Sequence, residues 1–160
     1  MVRFETFSDN ELVCDTMGEQ SLIAIFRGYN AVLKDFNRLF ARFGLTEPQF
    51  NMLLLLARQR KEGMVLGKIG DKMLVSKANI TGLVDRLEKL GLLARENHAD
   101  DRRAKVARIT EAGLDLLKKV VPLHCDKINK ITSALEAEEK KRLVESLTKL
   151  CQAIRGEGKG

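Results

Sequence analysis

Ser76-Lys-Ala-Asn-Ile-Thr-Gly-Leu-Val-Asp-Arg-Leu-Glu-Lys-Leu-Gly-Leu92 carries both ends and the buried face of one helix. Ser76 is a good N-cap, because its hydroxyl can accept from N–H groups that the first turn leaves free. Gly91 suits the left-handed residue that closes a helix. Between them Ile80, Leu83, Val84, Leu87 and Leu90 recur at three- and four-residue spacing, so they form one apolar stripe. At 100° per residue Ala78, Thr81, Gly82, Asp85 and Lys89 lie opposite, flanked by Lys77, Asn79 and Arg86. These outward positions are small or polar near the N-terminus, the shape that a helix needs to fit a groove.

The flanking sequence supplies the partners of this helix. Residues 66–73 read as a short helix with two glycines, and Leu74-Val75 gives a tight turn. After it, 92–96 and 104–109 read as two strands joined by a polar turn, a hairpin whose tip is His98-Ala-Asp-Asp-Arg-Arg103. Upstream, Thr46-Glu-Pro-Gln49 combines a Thr cap, a first-turn Pro and a capping-box Gln, so a buried helix is expected over 47–60. Short helix, tight turn, capped helix and hairpin together make a winged helix-turn-helix, expected over 46–110.

Long amphipathic helices enclose this unit. One is expected over 19–43, with Gly44 ending it, after a short helix at 9–16 opened by the Ser8 capping box. Another runs from Thr110 over 111–132, with a seam of Leu114, Leu117, Val121, His124, Ile128, Ile131 and Leu135 and a kink at Pro122. Ser133-x-x-Glu136 reads as a capping box that opens a last helix to about Arg155, carrying Leu143, Leu147, Leu150 and Ile154 on one side. Residues 156–160 read as a frayed tail. The fold class expected is mainly α: a winged helix-turn-helix with a two-stranded wing. Residues 1–45 and 111–155 form the flanking dimerisation region.

Charge and composition narrow the function. The 160 residues carry a net charge of +6. Between Arg58 and Arg108 there are 13 Lys/Arg against 7 Asp/Glu, so the middle third holds the whole excess. All eight aromatic residues lie outside it, between Phe4 and Phe50. Single-strand binders stack bases on aromatic rings, so a basic segment without rings suits the phosphates of a duplex better. The longest apolar run, Met52–Ala57, is too short to span a membrane. No secretory leader is legible, and three scattered cysteines form no disulfide framework, so a cytoplasmic location is expected. With two histidines, no phosphate-binding glycine loop and no His-Glu-x-x-His, neither an enzyme, a metal site nor a cofactor is expected.

Two segments resemble the MarR-type transcriptional regulators: Ser76–Leu92 and Asp101-Arg-Arg-Ala-Lys-Val-Ala-Arg-Ile-Thr-Glu-Ala-Gly113. The second matches that family's wing signature, Asp-x-Arg followed by a strand and an Ile-Thr-x-x-Gly helix start. The resemblance covers about Thr46 to Gly113; beyond it only helix length and placement agree. It implies a symmetric homodimer on a pseudo-palindromic operator, with Arg103 in the minor groove and Asp101 orienting it. Ser76, Lys77, Asn79, Thr81 and Arg86 fall where the family contacts bases and phosphates. Ala78, Gly82 and Asp85 share that helix, and Arg95, Arg102 and Lys105 belong to the wing. Lys68 and Lys72 on the preceding helix are placed to clamp phosphate.

The family commonly responds to small aromatic or phenolic ligands between outer helices and winged domain, which makes Phe26, Tyr29, Phe36 and Phe50 candidate pocket residues. At helical spacing such a stripe also reads as plain core. His124 reads as a structural seam residue. Thiol sensing through Cys14 and Cys151 is an alternative, although the position of the sensing cysteine in the peroxide branch falls here near Leu22. A winged-helix protein-interaction module is a second alternative; it predicts acidic or apolar outward positions, and the chain has Lys77, Asn79, Thr81 and Arg86 there.

Overall fold

In a computed structural model the chain is described over residues 17–73, 77–97 and 105–157, leaving aside the side chains of 77, 78 and 157. Its order is α1 (Met17–Ala41), α2 (Glu47–Ala57), β1 (Met64–Val65), α3 (Leu66–Met73), α4 (Lys77–Lys89), β2 (Leu93–Asn97), β3 (Lys105–Ile109), α5 (Glu111–Thr132) and α6 (Ala137–Glu157). The helix expected at 9–16, the turn residues 74–76 and the wing tip 98–104 lie outside the described residues.

The core sits inside the winged unit. Phe50, Met52, Leu53 and Leu56 on α2 pack against Ile69 of α3 and the α4 stripe. Of that stripe Ile80, Leu83, Val84 and Leu87 are buried, whereas Leu90 is 55 % exposed because the helix ends at Lys89, one residue before it. At the head of α2, the N–H of Thr46 donates to Gln49 Oε1 at 2.8 Å, as its capping motif predicts. Helix α2 stops at Ala57, three residues short of expectation.

The sheet has three strands, not two. Its order is β1-β3-β2, and β1 pairs antiparallel with β3 through Met64↔Ala107 and Val65↔Val106. On this central strand Val106, Ala107 and Ile109 are all buried, with α2 and α3 also in contact with it, where a sheet with one open face would bury alternate residues. Entry to β1 depends on Gly63. Its φ is +67°, and a Cβ there would lie 2.7 Å from Val106 Cγ1 and 2.8 Å from the Ala107 carbonyl oxygen.

The return from sheet to α5 is equally tight. Thr110 N–H donates to the Leu92 carbonyl at 3.1 Å, extending the β2–β3 pairing by one rung. The Thr110 hydroxyl donates to the Gly91 carbonyl at 2.7 Å and accepts from Gly113 N–H at 3.1 Å. A Cβ on Gly113 would meet the Leu92 carbonyl oxygen at 2.3 Å.

The outer helices join the core at one end only. From α1 the buried residues are Leu39 and Phe40, and from α5 Gly113, Leu117 and Val120. Val120 lies off the expected seam, and seam residue Ile128 is 38 % exposed. Lys127 Nζ meets Asp35 Oδ2 at 2.7 Å and ties the two helices beyond the core, holding the Asp35 carboxyl below its usual range. Helix α5 runs through Pro122 as one element. Ser133 closes α5 rather than opening α6: its N–H donates to the Asn129 carbonyl at 2.9 Å. The start of α6 is held by Glu136 N–H donating to Glu139 Oε2 at 2.8 Å.

Gly113→Ala is expected to lower stability by about 1–3 kcal/mol, the cost of forcing a methyl against packed backbone. Urea denaturation checks this; a midpoint equal to wild type would show that α5 can shift away from Leu92 freely.

Candidate nucleic-acid interface

Helix α4 is held by its inner face and presents the other. Asn79, Thr81 and Arg86 are exposed, and Gly82 and Asp85 half-buried, opposite the locked Ile80, Val84 and Leu87. Gly82 leaves room beside Arg86: a Cβ there would lie 3.7 Å from Arg86 Nη2. The backbone of Lys77 and Ala78 forms the first turn, while Ser76 lies outside the described residues. Asp101, Arg102 and Arg103 also lie outside them.

Strand β2 brings Arg95 to α4. Arg95 Nη1 donates to Asp85 Oδ1 at 2.6 Å and Nε to Glu88 Oε2 at 2.8 Å; Nη2 also donates to Glu88 Oε2. The backbone N–H of Arg95 donates to Glu88 Oε1 at 3.2 Å. These bonds hold the Glu88 carboxyl below the usual carboxylate range. Glu88 is absent from the sequence-based set. An acid three residues after Asp85 on the same helix face was the available signal. Further along the sheet, Lys105 Nζ donates to Asn97 Oδ1 at 2.6 Å. Arg108 Nε donates to Glu96 Oε2 at 2.9 Å, and Nη1 to the Lys61 carbonyl.

Lys68 and Lys72 stand one turn apart on the exposed side of α3, whose Ile69 and Gly70 are buried. They share a groove of about 340 Å³ with Gln59, Glu62, Met64 and Val106, so they face the β1 side of the sheet. Lys72 also lines a second groove with Arg58, Leu54, Leu55 and Met73. The positive charge therefore continues from α3 onto the end of α2.

The candidate pocket residues separate into two places. Phe36 and Phe50 belong to a ring cluster with Phe40 and His124: Phe40–Phe50 centroids are 4.5 Å apart, Phe36–His124 5.0 Å and Phe50–His124 4.9 Å. Phe26 and Tyr29 are 64 % and 62 % exposed on the outer half of α1, and Phe26 stands about 15 Å along the helix from Phe36. Cys125 and Cys151 are exposed, and Cys14 lies outside the described residues.

A family profile described as the MarR family matches residues 45–105, the span from the α2 cap to the start of β3. The HTH-type transcriptional regulator MhqR of Bacillus subtilis (strain 168) is 36 % identical over 137 residues, 84 % of this chain and 93 % of that protein. The chain belongs to the MarR family. As a MarR-family protein it is a DNA-binding transcriptional regulator and not an enzyme. A second relative, the HTH-type transcriptional repressor YetL of the same organism, is 31 % identical over 84 % of this chain and 78 % of its own length. The crystal structure of AbsC, a MarR family transcriptional regulator from Streptomyces coelicolor, superposes with a TM-score of 0.78 at 28 % identity, covering 88 % of this chain and 97 % of that one. No helix among the described residues is long and apolar enough to cross a membrane.

In this MarR-family chain His124 of α5 sits against rings of α1 and α2. Packed among three phenyl rings, its imidazole is held below its ordinary pKa by burial. The unfolded chain takes up that proton near pH 6.5, before the folded protein does. The contribution is thus fully present above that pH and is lost as pH falls from there through the lowered folded value. Melting temperatures of wild type and His124→Phe between pH 7.5 and 5.5, about one unit either side of the free imidazole pKa, check this. The wild type is expected to lose more on acidification. Parallel curves would show that His124 titrates alike in both states; His98 is common to both proteins.

Proposed function

We propose that the protein is a homodimeric, cytoplasmic repressor that grips a pseudo-palindromic duplex and is released by a small aromatic ligand. The observation that carries DNA recognition is α4: a helix locked to the core along one face, with Asn79, Thr81 and Arg86 exposed on the rest. A helix held this way can lie in a major groove while side chains near its N-terminus reach base edges. Lys68 and Lys72 on α3 and the wing residues Arg102, Arg103 and Lys105 add cations for phosphate and minor groove, with Asp101 orienting Arg103. A repressor's name on the 31 % identical relative supports the sign of regulation.

The dimer is supported by apolar surface that stays exposed among the described residues. On α6, Leu143, Val144, Leu150 and Ile154 are 48 %, 65 %, 42 % and 68 % exposed, and on α1 Leu22 and Phe26 are 51 % and 64 % exposed. Contiguous apolar faces of this kind mark interfaces, and a two-fold dimer would place two copies of α4 on successive half-sites. Residues 1–45 and 111–155 then serve as the dimerisation region and 46–110 as the DNA-binding domain. Support for an aromatic effector is the ring cluster of Phe36, Phe40, Phe50 and His124, which joins α1 and α5 to α2 where the two regions meet. A ligand that reorders these rings would shift α4 against its symmetry mate.

Binding to the chain's own upstream intergenic duplex, followed by anisotropy across a salt series, tests DNA recognition. Arg86→Ala and Arg103→Ala are each expected to weaken binding by about 1–3 kcal/mol if a base or groove contact is lost. The log–log salt slope of the wild type should be several units. Binding of both variants at wild-type strength, or a flat salt dependence, would sink this reading. For assembly, the double substitution Val144→Glu with Ile154→Glu is expected to shift the sedimentation coefficient from dimer to monomer. A dimer that survives it places the interface elsewhere.

A further inference from the structure

We infer that Arg95 is a positioning residue for DNA binding and not a DNA contact: with Asp85 and Glu88 it clamps β2 onto α4, so that helix and wing strand meet a duplex as one body. The inference rests on the reading of α4 as the groove-facing helix. Its evidence is the geometry of the clamp.

Strand β2 is an edge strand, with one row of backbone groups unpaired by β3. At Arg95 the N–H on that open edge is taken by Glu88 Oε1, at 3.2 Å. The same carboxylate accepts from the Arg95 guanidinium at Nε and Nη2, and Asp85, one turn earlier on α4, accepts from Nη1 at 2.6 Å. Glu88 thus holds both backbone and side chain of one strand residue. An isolated exposed pair contributes little, but a planar guanidinium engaged at three nitrogens by two carboxylates is fixed in direction. Side chains alternate along a strand, so Arg95 shares a face with Leu93, which is 2 % exposed in the core. The side chain therefore lies along α4, on the core side of the sheet.

Charge points the same way. Two carboxylates around one guanidinium leave the trio with a net negative charge, which repels phosphate. If these acids served no positioning purpose, removing one would leave DNA affinity unchanged or raise it. A clamp predicts the opposite sign: loosening it separates two elements that must be seated together, at a loss in affinity.

The test uses the full chain and a duplex enriched from a random library by the wild-type protein. Glu88→Gln keeps size and removes the charge; Arg95→Lys keeps the charge and removes the fork. Each is expected to weaken binding about tenfold, within the range of coupling between two sites, with the salt slope unchanged. Amide exchange at Arg95 is expected to accelerate in Glu88→Gln while the β1–β3 amides stay protected. Binding by Glu88→Gln at wild-type strength or tighter overturns the inference. So does Arg95→Lys at full affinity, or a fall of about one unit in the salt slope of Arg95→Ala, which marks a lost phosphate contact. A library that yields no duplex overturns the DNA reading instead. Exchange at Arg95, measured without DNA, then still decides the clamp: unchanged protection in Glu88→Gln refutes it.

Discussion

The structure depends on the join where the sheet ends and α5 begins. Within four residues the chain leaves β3 at Ile109, caps a helix with Thr110 and sets Gly113 against the carbonyl of Leu92. Thr110 makes three bonds there: its N–H to Leu92, its hydroxyl to Gly91, and the capping bond from Gly113. Gly91 and Leu92 are the residues that carry α4 into β2. One short segment therefore sets the end of α4, the register of the wing and the direction in which α5 leaves. No side chain larger than hydrogen fits at Gly113, so the Thr-x-x-Gly spacing is a steric requirement of this join.

From that join the molecule divides by burial. The winged unit has a filled core of its own, with Phe50, Leu53, Leu56, Ile69, Val84 and Leu87 excluded from water. Helices α1 and α5 touch it through one end each, and no described side chain of α6 is buried. Burial of apolar surface is the main favourable term in folding. The apolar side chains along α6 and the outer half of α1 are therefore outside that favourable term within the described residues. The ring cluster around His124 lies where these parts meet.

Most of the helical architecture was legible in local chemistry. The α2 cap at Thr46, the α5 cap at Thr110 and the left-handed Gly91 each act within a few residues, and periodicity marked the stripe of α4. Errors arose where two local signals competed or where pairing was distant. Ser133 carries a capping-box pattern, yet its backbone N–H completes the last turn of α5, and Glu136 takes the role at α6. Strand β1 is two residues long, too short for any alternation to show, and exists because Gly63 lets the chain lie against Val106 and Ala107. Arg95 was readable as a wing cation, but the partner that defines it, Glu88, is brought to it by the turn between α4 and β2.

By itself the sequence determined the order of the helices, the caps at Thr46 and Thr110, which face of α4 is apolar, where the positive charge lies and that the middle of the chain forms a winged helix. These follow from interactions between residues a few positions apart, whose geometry is set by the helix and strand repeats. Only the tertiary structure decided the third strand, the separation of Phe26 and Tyr29 from Phe36 and Phe50, the place of His124 among phenyl rings, and the tie of Arg95 to Asp85 and Glu88. These depend on how whole elements pack and turn against one another. A side chain's partner across elements is set by the summed burial of those elements and not by its own neighbours in the chain.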